Sequence, residues 1–116
     1  MMDFACKKVS VREVLQCSFS LTKADIEILY VLVQGNNWLS SSAIESSTKF
    51  DRSTVQRSLK RLTTKELCMR RQENSVRGGY NFVYQAIPRA ELRNKVLAVF
   101  DGFRVKLGQS LSDKAW

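Results

Sequence analysis

Apolar positions along the chain follow a helical period over most of its length. From Thr22 onward, Ile26, Leu29, Tyr30 and Val33 recur at helical spacing, with Ile28 and Leu32 widening the stripe. Thr22, with Asp25 three places on, is suited to cap this helix, and Gly35-Asn36-Asn37 to end it. A second stripe, Val55, Leu59 and Leu62, begins from an N-cap candidate at Asp51. A third begins after Pro88 and carries Leu92, Val96, Phe100, Phe103 and Leu107. From Val96 its steps make a coiled-coil-like seam. Val99 and Val105 add width, while Gly102 and Gly108 lower local helicity. Val11, Val14 and Leu15, with Phe4 and Cys6 before them, predict one more helix over residues 4–17, broken at Phe19–Thr22. Ser40 or Ser41 can cap a short helix carrying Ala43 and Ile44, preceded by a strand-like Trp38-Leu39 and followed by the polar turn Ser46–Lys49.

After Leu67 the period changes to two. Cys68–Glu73 reads as one strand and Tyr80–Ile87 as a second, in which Phe82, Tyr84 and Ala86 alternate with Asn81, Val83 and Gln85. Asn74–Gly79 is the turn between them. The resulting class is mainly α with a small β-hairpin. A short helix, a tight turn, a polar-faced helix and a hairpin follow one another, which is the order of a winged helix-turn-helix. With 116 residues the chain is expected to be a single domain. Its core would cover about residues 20–88, flanked by helices over about 1–18 and 88–112 that could serve dimerisation.

Charge adds a function to this pattern. Nineteen Lys and Arg against eleven Asp and Glu give a net charge of +8. Eight of the cations lie between Arg52 and Arg77 with only Glu66 and Glu73 among them, so +6 falls in under a quarter of the chain. A solubilising surface would spread its charge, whereas a polyanionic partner calls for a patch. At about 100° per residue, Ser53, Arg57 and Lys60 point away from the Val55–Leu62 stripe, flanked by Gln56 and Arg61. This outer face can enter a major groove. Arg57 and Gln56 suit guanine and adenine edges. Arg52, Ser53 and Thr54 sit in the first helical turn, where donors and the helix dipole suit phosphate, and Ser42 has the same place on the preceding helix. Lys60, Arg70 and Arg77 would add backbone attraction, with Arg77 at the hairpin tip reaching phosphates or a minor groove.

Three segments carry a family resemblance. Leu21–Leu29 resembles the opening of MarR-like and TrmB-like winged-helix transcription regulators, Asp51–Leu62 their recognition helix, and Tyr80–Ala86 their second wing strand. The likeness covers about residues 20–88. It implies a homodimer that brings two recognition helices to a pseudo-palindromic operator, and Leu92, Val96, Phe100, Phe103 and Leu107 are the expected dimer-interface residues. Members commonly carry a glycine just after the recognition helix, where this chain has Glu66, which puts the helix end and wing angle in question.

The remaining chemistry is sparse. The chain has no histidine, no phosphate-cradling glycine loop and no clustered carboxylates, so an enzyme is not expected. Nor are a metal or a cofactor. Cys6, Cys17 and Cys68 form no CxxC pair, but a thiol-based redox-sensing regulator remains an alternative, as does a winged helix that binds protein or RNA. No secretory signal or bilayer-length apolar run is visible, so the expected setting is the cytoplasm, with duplex DNA and a second copy as partners, no membrane, and an effector the sequence does not identify.

Overall fold

The computed structural model describes residues 1–74, 76 and 78–113. A small hairpin opens the chain, β1 (Met2–Phe4) against β2 (Lys7–Val9), followed by α1 (Val11–Phe19) and α2 (Lys23–Gly35). Next come β3 (Leu39–Ser40), α3 (Ser41–Thr48) and α4 (Arg52–Thr64), then β4 (Cys68–Asn74), β5 (Tyr80–Ala86) and α5 (Arg89–Ser112). The strand order β3-β5-β4 makes a three-stranded antiparallel sheet, in which Leu39 pairs with Tyr84 and Cys68 with Ala86.

Local chemistry fixes most of these boundaries. Ser40 and Asp51 each accept the amide hydrogen bond three residues on, from Ala43 (3.2 Å) and Thr54 (2.8 Å). Thr22 and Asp25 make the full reciprocal box, at 3.1 and 3.0 Å. Ile28, Leu29, Leu32, Ile44, Val55, Leu59, Leu62 and Leu67 are wholly buried, so α2, α3 and α4 meet in one core that β5 covers through Tyr84 and Ala86. Val83, on the other face of β5, is buried as well, at the position paired with Ser40 of β3.

The N-terminus differs from the expected helix over residues 4–17. Residues 2–9 form the β1–β2 hairpin, with Met2 opposite Val9 and Phe4 opposite Lys7. The helix starts only at Val11, because Ser10 accepts the Glu13 amide at 3.1 Å and so sets its first turn. Phe4 and Cys6 therefore lie outside it. Despite the lower local helicity of Gly102 and Gly108, α5 runs unbroken through both.

The end of α4 is built as a Schellman motif despite lacking glycine. The Glu66 amide donates to Thr63 (3.0 Å) and the Leu67 amide to Leu62 (2.9 Å), with Glu66 at φ 60°. Leu62 and Leu67, both fully buried, supply the apolar contact of that motif. A β-carbon in the left-handed region costs about 1–2 kcal/mol, partly offset by the unfolded-chain entropy that glycine would add. The Glu66–Lys95 ion pair at 3.6 Å is mostly exposed on the glutamate side and holds little. Glu66→Gly is therefore expected to raise stability by about 0.5–1 kcal/mol in urea denaturation. An unchanged or lower midpoint would show that Glu66 contributes more than its backbone strain takes away.

Candidate nucleic-acid interface

The outer face of α4 carries Arg52, Ser53, Gln56, Arg57 and Lys60, all exposed, while Val55, Leu59 and Leu62 on its inner face are sealed in the core. Burying that stripe sets which face of the helix turns outward, so the polar row is presented to solvent. Ser42 is exposed in the first turn of α3.

The first turn of α4 is already occupied by its own cap. Asp51 Oδ1 accepts the Thr54 amide at 2.8 Å and the Ser53 hydroxyl at 3.3 Å. Those hydrogen bonds, the Thr54 ones foremost, hold the Asp51 carboxyl below its ordinary pKa and keep it charged. A carboxylate at this helix end repels phosphate, and the Thr54 amide has no hydrogen left to offer it. Of the three residues expected to take phosphate here, Arg52 keeps a free, exposed side chain suited to it.

Arg61, which the helical wheel places beside the outer face, turns inward instead. Its Nε donates to Asp25 Oδ2 (2.9 Å) and Oδ1 (3.2 Å), and Nη2 donates to Oδ1 (3.0 Å). Asp25 is completely buried, whereas the Arg61 side chain is 41% exposed. Burial alone would push the Asp25 carboxyl up, but the Arg61 guanidinium, with smaller help from Thr22, brings it below the ordinary carboxylate value. One aspartate thus caps α2 and ties α4 to it.

On the hairpin, the Arg70 guanidinium lies 4.3 Å from the centroid of the Phe82 ring, which itself meets Tyr80 edge-on at 5.6 Å. Arg70 is exposed and held by this stacking. Arg71, on the opposite strand face, stacks at 4.4 Å over Trp38 and reaches Glu73 at 3.8 Å. Arg77 lies outside the described residues. Sequence reasoning also passed over Lys49, an exposed cation in the turn between α3 and α4 with φ 63°. Its only signal is a lysine just after the short helix.

The expected dimer residues divide. Leu92 is buried in the protomer's own core and Val96 is half-buried, while Phe100 (47% exposed), Phe103 (62%) and Leu107 (46%) face outward. Leu97, Val99, Val105 and Leu111 are exposed too. An apolar groove of about 1650 Å³ runs between α5 and the N-terminal hairpin with α1. Of the cysteines, Cys6 and Cys17 are exposed, and Cys68 is buried. Burial pushes the Cys68 thiol pKa up, which disfavours its thiolate.

Residues 15–90 match the family described as the sugar-specific transcriptional regulator TrmB. The chain belongs to the TrmB family. It is 31% identical over 88 residues to an uncharacterized protein of Methanocaldococcus jannaschii, an alignment that takes in 76% of this chain and 66% of that one, just under two thirds of the relative's length. A possible transcriptional regulator from Methanosarcina mazei Go1 superimposes with a TM-score of 0.89 at 36% identity, over 100% of this chain and 98% of the other. A mutant of MepR from S. aureus, solved bound to an oligodeoxyribonucleotide, shares the fold at a TM-score of 0.56 and 15% identity, over 90% and 73% of the two chains. Family and fold are those of winged-helix transcription regulators and not of enzymes. In this TrmB-family chain, among the described residues, no helix is long and apolar enough to cross a membrane.

Proposed function

We propose that this protein is a cytoplasmic, homodimeric regulator that binds duplex DNA sequence-specifically and represses by occupying promoter DNA. The α4 helix lies in the major groove, with Arg57 and Gln56 at base edges and Arg52 and Lys60 on phosphate. Arg70 meets the flanking backbone, a role Arg77 would share, and Ser42 and Lys49 meet phosphate at the other side of α4. The observation that carries this reading is the outer face of α4, a row of exposed cations and amide donors on a helix whose opposite face is locked in the core. The DNA-bound state of MepR, a protein of the same fold, supports it.

Support for the dimer comes from α5. Beyond Leu92 none of its described residues is buried. A β-carbon at Gly102 or Gly108 would meet nothing within 4 Å, so no packing in the protomer requires glycine there, although each costs about 1 kcal/mol relative to alanine in a helix. A helix so exposed, apolar and intrinsically weak needs a partner surface.

Selection of bound sequences from a random duplex pool tests the function directly. A two-fold symmetric motif is expected, with affinity that falls steeply as salt rises. Against the selected duplex, Arg57→Ala should lose about 1–3 kcal/mol of binding with its melting temperature unchanged. Normal affinity in that variant would take Arg57 out of base reading, and a pool that yields no enriched duplex would overturn the DNA-binding reading itself.

A further inference from the structure

The turn between α1 and α2 is held by two cations from α4, one helical turn apart. Arg61 binds Asp25 at the start of α2. Lys65, the C-cap residue of α4, donates from Nζ to the Phe19 carbonyl at 2.5 Å and reaches the Ser20 carbonyl at 3.5 Å. These carbonyls lie at the C-terminal end of α1, where Ser20 caps the helix in the left-handed region. A helix C-terminus favours a cation, and α1 has no basic residue in its own last turn. Lys65 supplies that charge from another helix.

The attachment matters because α1 has few others. It has no fully buried residue, and only Leu15 and Phe19 pack in part against the core. Arg12 of α1 also stacks at 4.1 Å over Tyr30 of α2, and the other neighbour of α1 is α5, with which it lines the apolar groove. So α1 touches the face offered to a second copy on one side and the end of the recognition helix on the other. The Lys65 bond is where those two sides meet.

We propose that Lys65 is a positioning residue that couples the dimer arm, α1 with α5, to the orientation of α4, so that dimerisation and binding of a two-half-site operator reinforce each other. A second copy seated on α5 fixes α1. Through the Phe19 carbonyl, α1 then fixes the last turn of α4, and both recognition helices are held at the spacing the operator needs. Coupling of this kind is reciprocal, since DNA that fixes α4 must also tighten the dimer by the same factor. This inference rests on the homodimer proposed above.

The test uses the full chain and duplexes recovered from the random pool, bearing either one half-site or two. Lys65→Met keeps the apolar stem and removes the charge. It is expected to bind the single half-site like the wild type but the two-half-site duplex about tenfold more weakly, and Lys65→Arg should restore most of the difference. Equal losses on both duplexes would mean direct phosphate contact or local damage and would overturn the coupling, as would unchanged affinity for both. A second measurement needs no variant. In the wild type, binding of the two-half-site duplex should slow amide exchange in α1, a helix that carries none of the proposed DNA contacts. Exchange in α1 that DNA leaves untouched would also overturn the proposal. The mass of the DNA complex, read separately, reports on the dimer itself, and a single chain per operator would remove both readings together.

Discussion

Arg61→Ala should destabilise the protein by about 3 kcal/mol, and Asp25→Asn should cost less. Removing one partner of a buried pair leaves the other charge stranded, which costs about 3–5 kcal/mol. Here the two partners are not equally stranded. Asp25 is completely buried and can find no water, while Arg61 is 41% exposed and can turn to solvent when its partner goes. The low end of the range applies because Arg61 is partly exposed, so solvent already screens part of its attraction for Asp25. Equilibrium denaturation of both variants measures the difference. Equal costs, or a loss below about 1 kcal/mol for Arg61→Ala, would mean the pair is fully screened like an ordinary surface contact.

The same pair sets a pH signature. In the folded wild type the Asp25 carboxyl titrates below its ordinary value of 3.8. The unfolded chain therefore binds more protons between the folded pKa and 3.8, so stability rises with pH across that window. Asp25 contributes its full share above 3.8 and loses it as pH falls through the folded pKa. Without Arg61, burial is left as the dominant influence, and it pushes the carboxyl up. The difference in proton binding between the folded and unfolded variant is then smaller in that window, and the pH dependence that Asp25 contributes weakens. The stability gap between wild type and Arg61→Ala should narrow as the solution is acidified. A gap constant down to about pH 3 would contradict the assignment.

Sequence and structure agree where the information is local or periodic. The stripe Ile26–Val33, the Thr22–Asp25 box, the Asp51 cap and the two strands after Leu67 each lie within a few residues, and each forms where the pattern predicts, although Tyr30 of the stripe is exposed and Val83 is buried beside Tyr84. What the sequence hides is long-range or very short. Arg61 and Asp25 are 36 residues apart, and no spacing rule joins them. A helical wheel can only put Arg61 at the rim of the polar face, where its choice between DNA and Asp25 depends on a partner elsewhere in the fold. Lys65 and Phe19 are separated in the same way. The three-residue strands at Met2–Phe4 and Lys7–Val9 are too short to show alternation, so nothing in the sequence separates Phe4 and Cys6 from the helical stripe that follows. Glu66 is a case of tertiary burial overriding local preference, since the Leu62–Leu67 contact closes the helix with or without glycine.

Phe100→Glu combined with Phe103→Glu should split the proposed dimer while sparing the fold. Both rings are exposed in the protomer, so the core loses no contact when they are replaced. A two-fold axis places each substitution twice in an isologous interface, and four carboxylates would then have to be desolvated in an apolar seam. That penalty exceeds what a helix pair of this size gains, and sedimentation should report a monomer. Operator binding would then lose the advantage of having two recognition helices on one body. The second half-site would bind as an independent molecule, and affinity for the two-half-site duplex should drop about 10²–10⁴-fold, while the single half-site is bound as before. A variant that stays dimeric would move the interface away from the outer half of α5. A monomer that retains full operator affinity would mean instead that one recognition helix and one wing suffice to hold the site.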